Sequence, residues 1–132
     1  MKLLVDTSAL VALTFRDDRN HEPALAFVLA HLQARLVLTE LILSEVATRV
    51  RARAGAQRAV AVARSLFASR RYELLFVDPD IVSGALNHMA RFADKRLSLT
   101  DCASFELMER LGLDSAFAFD TDFRDCGYRM VP

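Results

Sequence analysis

An α/β domain, with a central, mainly parallel sheet between helical layers, is the architecture this sequence predicts. Two observations carry it. Short apolar runs ("KLLV", "RLVL", "YELLFV", "SAFAF", "YRMV") recur along the chain. Longer segments of helical character separate most of them, which is the pattern of parallel crossover units. In the 132 residues 53% are apolar, enough for a real core. Residues 1–132 are therefore expected to form a single domain.

Taken in order, "KLLV" reads as a buried strand and "TSALVAL" as the helical turn after it. "FRDDRN" is a loop, and Pro23 suits the first turn of a helix through "ALAFVLAHLQ". "RLVL" is the second strand. Thr39 is placed to N-cap "ELILSEVATRVRAR", and Gly55 allows a break before "AQRAVAVARSLFAS". "YELLFV" is the third strand. Asp78 and Pro79 then supply the N-cap and first position of a helix covering "IVSGALNHMARFA". After the loop "DKRL", a helix runs through "SLTDCASFELMERL" and stops at Gly112. "SAFAF" and "YRMV" are late strands on either side of "DTDFRDCG".

Composition narrows the function. No apolar run reaches the roughly 18–20 residues of a membrane span. The N-terminus lacks the marks of a signal peptide, so a cytoplasmic protein is expected. Cys102 and Cys126 match no metal or redox spacing, and His21, His31 and His88 show no zinc-type pairing. Net charge is zero, yet no acid lies between Glu45 and Glu73, a gap holding Arg49, Arg51, Arg53, Arg58, Arg64, Arg70 and Arg71. Such a stretch is either a solvated helical face or a surface that attracts phosphate.

The acids at strand ends matter most, because open α/β folds build their sites beyond the carboxyl ends of the strands. Asp6 follows "LLV" and Asp120 follows "SAFAF". Asp6 is also a ready N-cap, and Asp120 or Asp122 a cap for "TDFRD". Glu40 and Glu45 share a helix but lie about 140° apart around it. Glu40 needs only the helix dipole to explain it. Glu45, among the apolar residues of "LILSEVA", needs a partner: Arg49 one turn on, or a site. Asp101 forms a capping-box pattern with Ser98. Glu106 pairs by spacing with Arg110, and both Glu106 and Glu109 read as surface charges. If the sheet gathers the strand-end acids, they crowd one pocket and their repulsion calls for a divalent cation such as Mg²⁺ or Mn²⁺.

The segments "LLVDTSALVAL", "LILSEVATRVRAR", "DKRLSLTDCASFELMERLG" and "AFAFDTDFRDCGYRMVP", in this order, resemble a PIN domain. More narrowly, they resemble the VapC-type ribonuclease toxins of prokaryotic toxin–antitoxin pairs. The resemblance implies a three-layer α/β/α fold and a Mg²⁺- or Mn²⁺-dependent endoribonuclease leaving a 5′-phosphate and a 3′-hydroxyl. By motif, it implies catalytic acids at Asp6, Glu45, Asp101 and Asp120, with Asp122 as a further metal neighbour. Thr7 would orient Asp6, a water or a phosphate, and Arg49, Arg51 and Arg53 would reach substrate phosphates. It also implies an antitoxin partner covering the acidic pocket and a homodimer through residues 40–70. The alternatives are a PIN-fold nuclease of RNA processing and a module that binds RNA or a partner without cutting. "FDTDF" also resembles a phosphatase D-x-D motif, but too little chain follows it. A receiver-type phosphoacceptor lacks its acid pair.

Overall fold

The computed structural model describes residues 1–132. In chain order the elements are β1 (Lys2–Val5), α1 (Thr7–Thr14), α2 (His21–Ala30), β2 (Arg35–Thr39), α3 (Glu40–Ala54) and α4 (Ala56–Ala68). The second half adds β3 (Tyr72–Leu75), α5 (Pro79–Arg91), α6 (Leu99–Leu111), β4 (Ser115–Phe117), α7 (Asp122–Asp125) and β5 (Arg129–Val131). The strands form one sheet in the order β3-β2-β1-β4-β5, and every neighbouring pair is parallel.

Alternation along each strand splits the core into two. Leu3, Val5, Leu36, Leu38 and Phe117 point into a layer formed by α1 to α4. Leu4, Val37 and Ala116 point the other way, against α5, α6 and Phe123 of α7. This is the two-residue period of a strand buried on both faces. Phe105 anchors the second layer, stacked on Tyr128 at 4.5 Å and edge-on to Phe123 at 5.1 Å.

Most expected caps form. Thr39 Oγ1 accepts the Ile42 N–H, Asp78 accepts the Ile81 N–H, and Gly112 ends α6 in the left-handed region at φ 63°. No helix is long and apolar enough to cross a membrane. Cys102 and Cys126 are free thiols.

Four elements differ from the sequence reading. β3 stops at Leu75, not Val77, because β2 ends at Thr39 to cap α3 and both Glu40 carboxylate oxygens take the Val77 N–H. Glu40 thus has a role beyond the helix dipole. β4 stops at Phe117 because the N–H groups of Phe119 and Asp120 turn to Ser8 Oγ. α2 begins and ends three residues early, with the His31 ring bonded to the Phe27 carbonyl at its end. "DTDFRDCG" holds α7, whose four residues are too few to show a periodicity.

Candidate active site

The chain builds outward from β1 to β2 and β3, then returns to β4 and β5 on the other side. The order reverses between β1 and β4, so their carboxyl ends border the crevice where such sheets bind ligands. Asp6 ends β1 there, and its N–H is bonded to the Phe117 carbonyl at the end of β4. Asp120 leaves β4 three residues later.

A cavity of about 200 Å³ opens at this point, and none of its 10 lining residues is hydrophobic. It gathers five carboxylates, those of Asp6, Glu45, Asp101, Asp120 and Asp122. Thr7, Ser8 and Ser98 supply hydroxyls, and Arg49 and Arg96 supply positive charge. A larger hollow, of about 800 Å³, lies near the amino ends of β1 and β4, among Met1, Leu3, Phe27, Leu113 and Val131. It holds one acid, Asp114, so the converging chemistry belongs to the smaller cavity.

Asp6 is buried at 4% exposure. Its Oδ2 accepts the Ser8 N–H at 3.1 Å and the Ser8 hydroxyl at 2.6 Å, which leaves Oδ1 for the cavity. The cap and the site therefore use different oxygens of one carboxylate. Ser8 Oγ also accepts from the backbone of Phe119 and Asp120, so one hydroxyl ties the ends of β1 and β4 together. Asp101 repeats the arrangement. Its Oδ2 closes the capping box on the Ser98 N–H at 3.1 Å, while the Asp101 N–H bonds Ser98 Oγ. Asp120 Oδ1 accepts the Asp122 N–H at 3.0 Å and starts α7.

Glu45 is fixed by Thr7, whose hydroxyl donates to Oε1 at 2.7 Å. Arg49 is not its partner, and the Thr7 hydroxyl bonds Glu45.

Crowding and burial show in the acidities. Burial pushes the Asp6 carboxyl above its ordinary range; bonds from Ser8 oppose this and the charge of Asp120 adds to it. Asp101 is pushed up to about 6, mainly by burial, with the Ser98 N–H opposing and Asp6 and Asp120 reinforcing. Asp122 is raised by burial and by Asp120, against the nearby Lys95.

The donor set, all hard oxygen, fits Mg²⁺ or Mn²⁺ and offers no soft ligand. No three of these carboxylates bring oxygens within 4.8 Å of one another, unlike the group His88, Glu106 and Glu109 elsewhere.

The arginines divide. Arg49 lines the cavity. Arg51 does not: two residues on, about 200° around the helix, it lines the groove between α3 and α4. Arg53 returns to the side of Arg49 one turn further, where Asp17 takes its guanidinium at 3.2 and 3.3 Å and the Phe15 ring lies 3.9 Å beneath it. Of the three arginines expected to reach substrate phosphates, the structure brings Arg49 to the cavity and not Arg51 or Arg53. Arg96 was missed. It sits two residues before the cap Ser98, so the turn that seats Asp101 also brings Arg96 to the rim; read as part of the loop "DKRL", it carried no pattern.

Known proteins resemble both the fold and the sequence. The 23S rRNA-specific endonuclease VapC20 of Mycobacterium tuberculosis is 29% identical over 126 residues, which cover 96% of this chain and 95% of that protein. The crystal structure of M. tuberculosis VapC20, described as a Sarcin-Ricin loop cleaving toxin, superposes with a TM-score of 0.87 over 96% of this chain and 95% of that one, at 28% identity. VapBC2 from Rickettsia felis, bound to a DNA fragment from its promoter, shares the fold at a TM-score of 0.74 and 7% identity, covering 100% of this chain and 98% of that one. The sequence model of the PIN domain matches residues 3–127. With its strand-end acids converging at the switch point of a parallel sheet, this chain belongs to the PIN domain family.

Proposed function

We propose that this protein is a divalent-metal-dependent endoribonuclease, the toxin of a toxin–antitoxin pair, acting on a structured ribosomal RNA segment. The observation that carries the reading is the cavity at the β1/β4 switch point, which five carboxylates and no hydrophobic residue line. The similarity to VapC20, named as a 23S rRNA-specific endonuclease, supports the substrate class.

Asp6 and Asp101 would hold Mg²⁺ or Mn²⁺ through the oxygens their caps leave open, with Asp120 completing the site and Asp122 helping directly or through water. A bound ion would supply charge neutralisation at the phosphate and a more acidic water. Glu45, held by Thr7, orients the attacking water from the α3 side. Arg49 and Arg96 place positive charge at the rim and bind phosphates flanking the scissile one. Ser8 holds the Asp6 and Asp120 segments in register, so both carboxylates meet the substrate as one unit.

An antitoxin segment covering the acidic cavity accounts for inhibition. A homodimer would form through α3 and α4, where Val60 is 47% and Phe67 65% exposed.

The test is cleavage of purified ribosomal RNA. We expect cutting with Mg²⁺, none with a chelator, and a loss of roughly a hundredfold or more in Asp6→Asn and in Asp101→Asn with circular dichroism unchanged. Full activity in both variants would overturn the assignment.

A further inference from the structure

We propose that His88, Glu106 and Glu109 form a second metal site, suited to Zn²⁺, that pins α5 to α6. None of the three lines the acidic cavity, and the site does not depend on the ribonuclease reading.

One ligand atom from each residue lies within 4.8 Å of the others. His88 Nε2 is 3.7 Å from Glu106 Oε1 and 3.5 Å from Glu109 Oε2. Zinc–nitrogen and zinc–oxygen bonds of about 2.0–2.2 Å set neighbouring ligands of a tetrahedral ion about 3.4 Å apart. An imidazolium bonded directly to a carboxylate would close to about 2.7–2.9 Å. The observed spacing is longer than a direct bond and matches that of two ligands of one ion.

Each group is aimed. His88 is 7% exposed, lies edge-on to Phe105, and has carboxylate oxygens as the charged neighbours of its Nε2. Glu106 gives its other oxygen to Arg110 Nε at 3.5 Å, and Glu109 gives its other oxygen to the Tyr128 hydroxyl at 2.8 Å. In both carboxylates an outer partner holds one oxygen and leaves the second facing the imidazole, as in metal sites whose ligands are oriented by a surrounding shell. Glu106 and Glu109 stand three residues apart on one helical face.

Gly84 of α5 makes the seat. A Cβ there would collide with the Glu106 carboxylate, so a glycine inside a helix leaves room for a largely buried acid. Glu109, half exposed, opens the fourth position to solvent and gives an ion its entry. The imidazole and carboxylate donors suit Zn²⁺.

The experiment titrates Zn²⁺ into the chelator-stripped Asp6→Asn/Asp101→Asn protein by calorimetry, so that the acidic cavity is disabled. We expect one equivalent bound, and Co²⁺ in its place to show the intense visible bands of a four-coordinate ion. His88→Gln and Glu109→Gln should each weaken Zn²⁺ by more than about tenfold, and Tyr128→Phe by about tenfold through its carboxylate. Glu109 is at the surface, so Glu109→Gln tests the site even if His88→Gln disturbs folding. No Zn²⁺ uptake by the double variant, or unchanged affinity in Glu109→Gln, overturns the proposal. RNA cleavage is not read, so this result and the ribonuclease result fail separately.

Discussion

The Thr7 hydroxyl donates a 2.7 Å hydrogen bond to Glu45 Oε1, joining residues 38 positions apart. It links the first turn after β1 to the middle of α3 and aims a carboxylate that no cap or dipole explains. Thr7→Val removes the donor and leaves Glu45 without its partner, so kcat for RNA cleavage should fall by about tenfold or more while the fold persists. Thr7→Ser keeps the hydroxyl and should recover most of the rate. Equal rates in the valine and serine variants would show that the hydroxyl does not position Glu45.

Asp101 gives stability a pH dependence whose sign is fixed. Its carboxyl is pushed up to about 6 in the folded protein, against about 3.9 in an unfolded chain. Between those values the folded state holds the proton more tightly. The contribution is therefore fully present below about pH 4 and is lost as pH rises to about 6. Asp6 shifts in the same direction. Urea denaturation of the metal-free protein should show this fall, and Asp101→Asn should flatten it. A rise of stability across the window contradicts the assignment.

Mg²⁺ bound in the cavity would relieve the repulsion among these carboxylates. At a hundred times its Kd a cation bound only by the folded state adds about 2.7 kcal/mol. Thermal unfolding at pH 7.5 should shift upward with millimolar Mg²⁺, and the shift should shrink in Asp6→Asn. An unmoved Tm would mean that the carboxylates hold no ion.

Arg96 and Arg53 make a matched pair of basic residues. Arg96 lines the cavity, whereas Arg53 is held by Asp17 and Phe15. Arg96→Ala should raise KM for RNA several-fold, with a shallower dependence on salt. Arg53→Ala should leave KM unchanged. Steady-state kinetics at two salt concentrations decide, and the reverse ranking would place the phosphate path along α3.

Gly84 tests how tightly Glu106 is seated. Replacing a helix-interior glycine by alanine ordinarily gains about 1 kcal/mol. Here the new methyl meets the Glu106 carboxylate, so Gly84→Ala should destabilise the protein. In a Glu106→Ala background the same change should stabilise it by about 1 kcal/mol. A denaturation double-mutant cycle measures the coupling, and additivity would show that the carboxylate moves aside freely.

Local sequence decided the elements and many of their ends. Thr39, Asp78, Ser98 with Asp101, and Gly112 cap where their side chains or backbone freedom allow, because capping needs only the next few residues. The acids at the ends of β1 and β4 were legible for the same reason: a strand end is a local feature. Their convergence was not local. It follows from the order β3-β2-β1-β4-β5, which sets β1 beside β4 across more than a hundred residues of chain.

Side-chain partners beyond the next turn belonged to the tertiary structure alone. Glu45 chose Thr7 over Arg49, Arg53 chose Asp17, and Arg96 reached the rim from a loop without pattern. Glu106, read as a surface charge paired with Arg110, keeps that partner but lies largely buried, opposite His88 and over Gly84. Helical spacing gives the direction in which a side chain leaves its own element. What it meets depends on the packing of α5 on α6 and of α1 on α3, and no local rule encodes that distance.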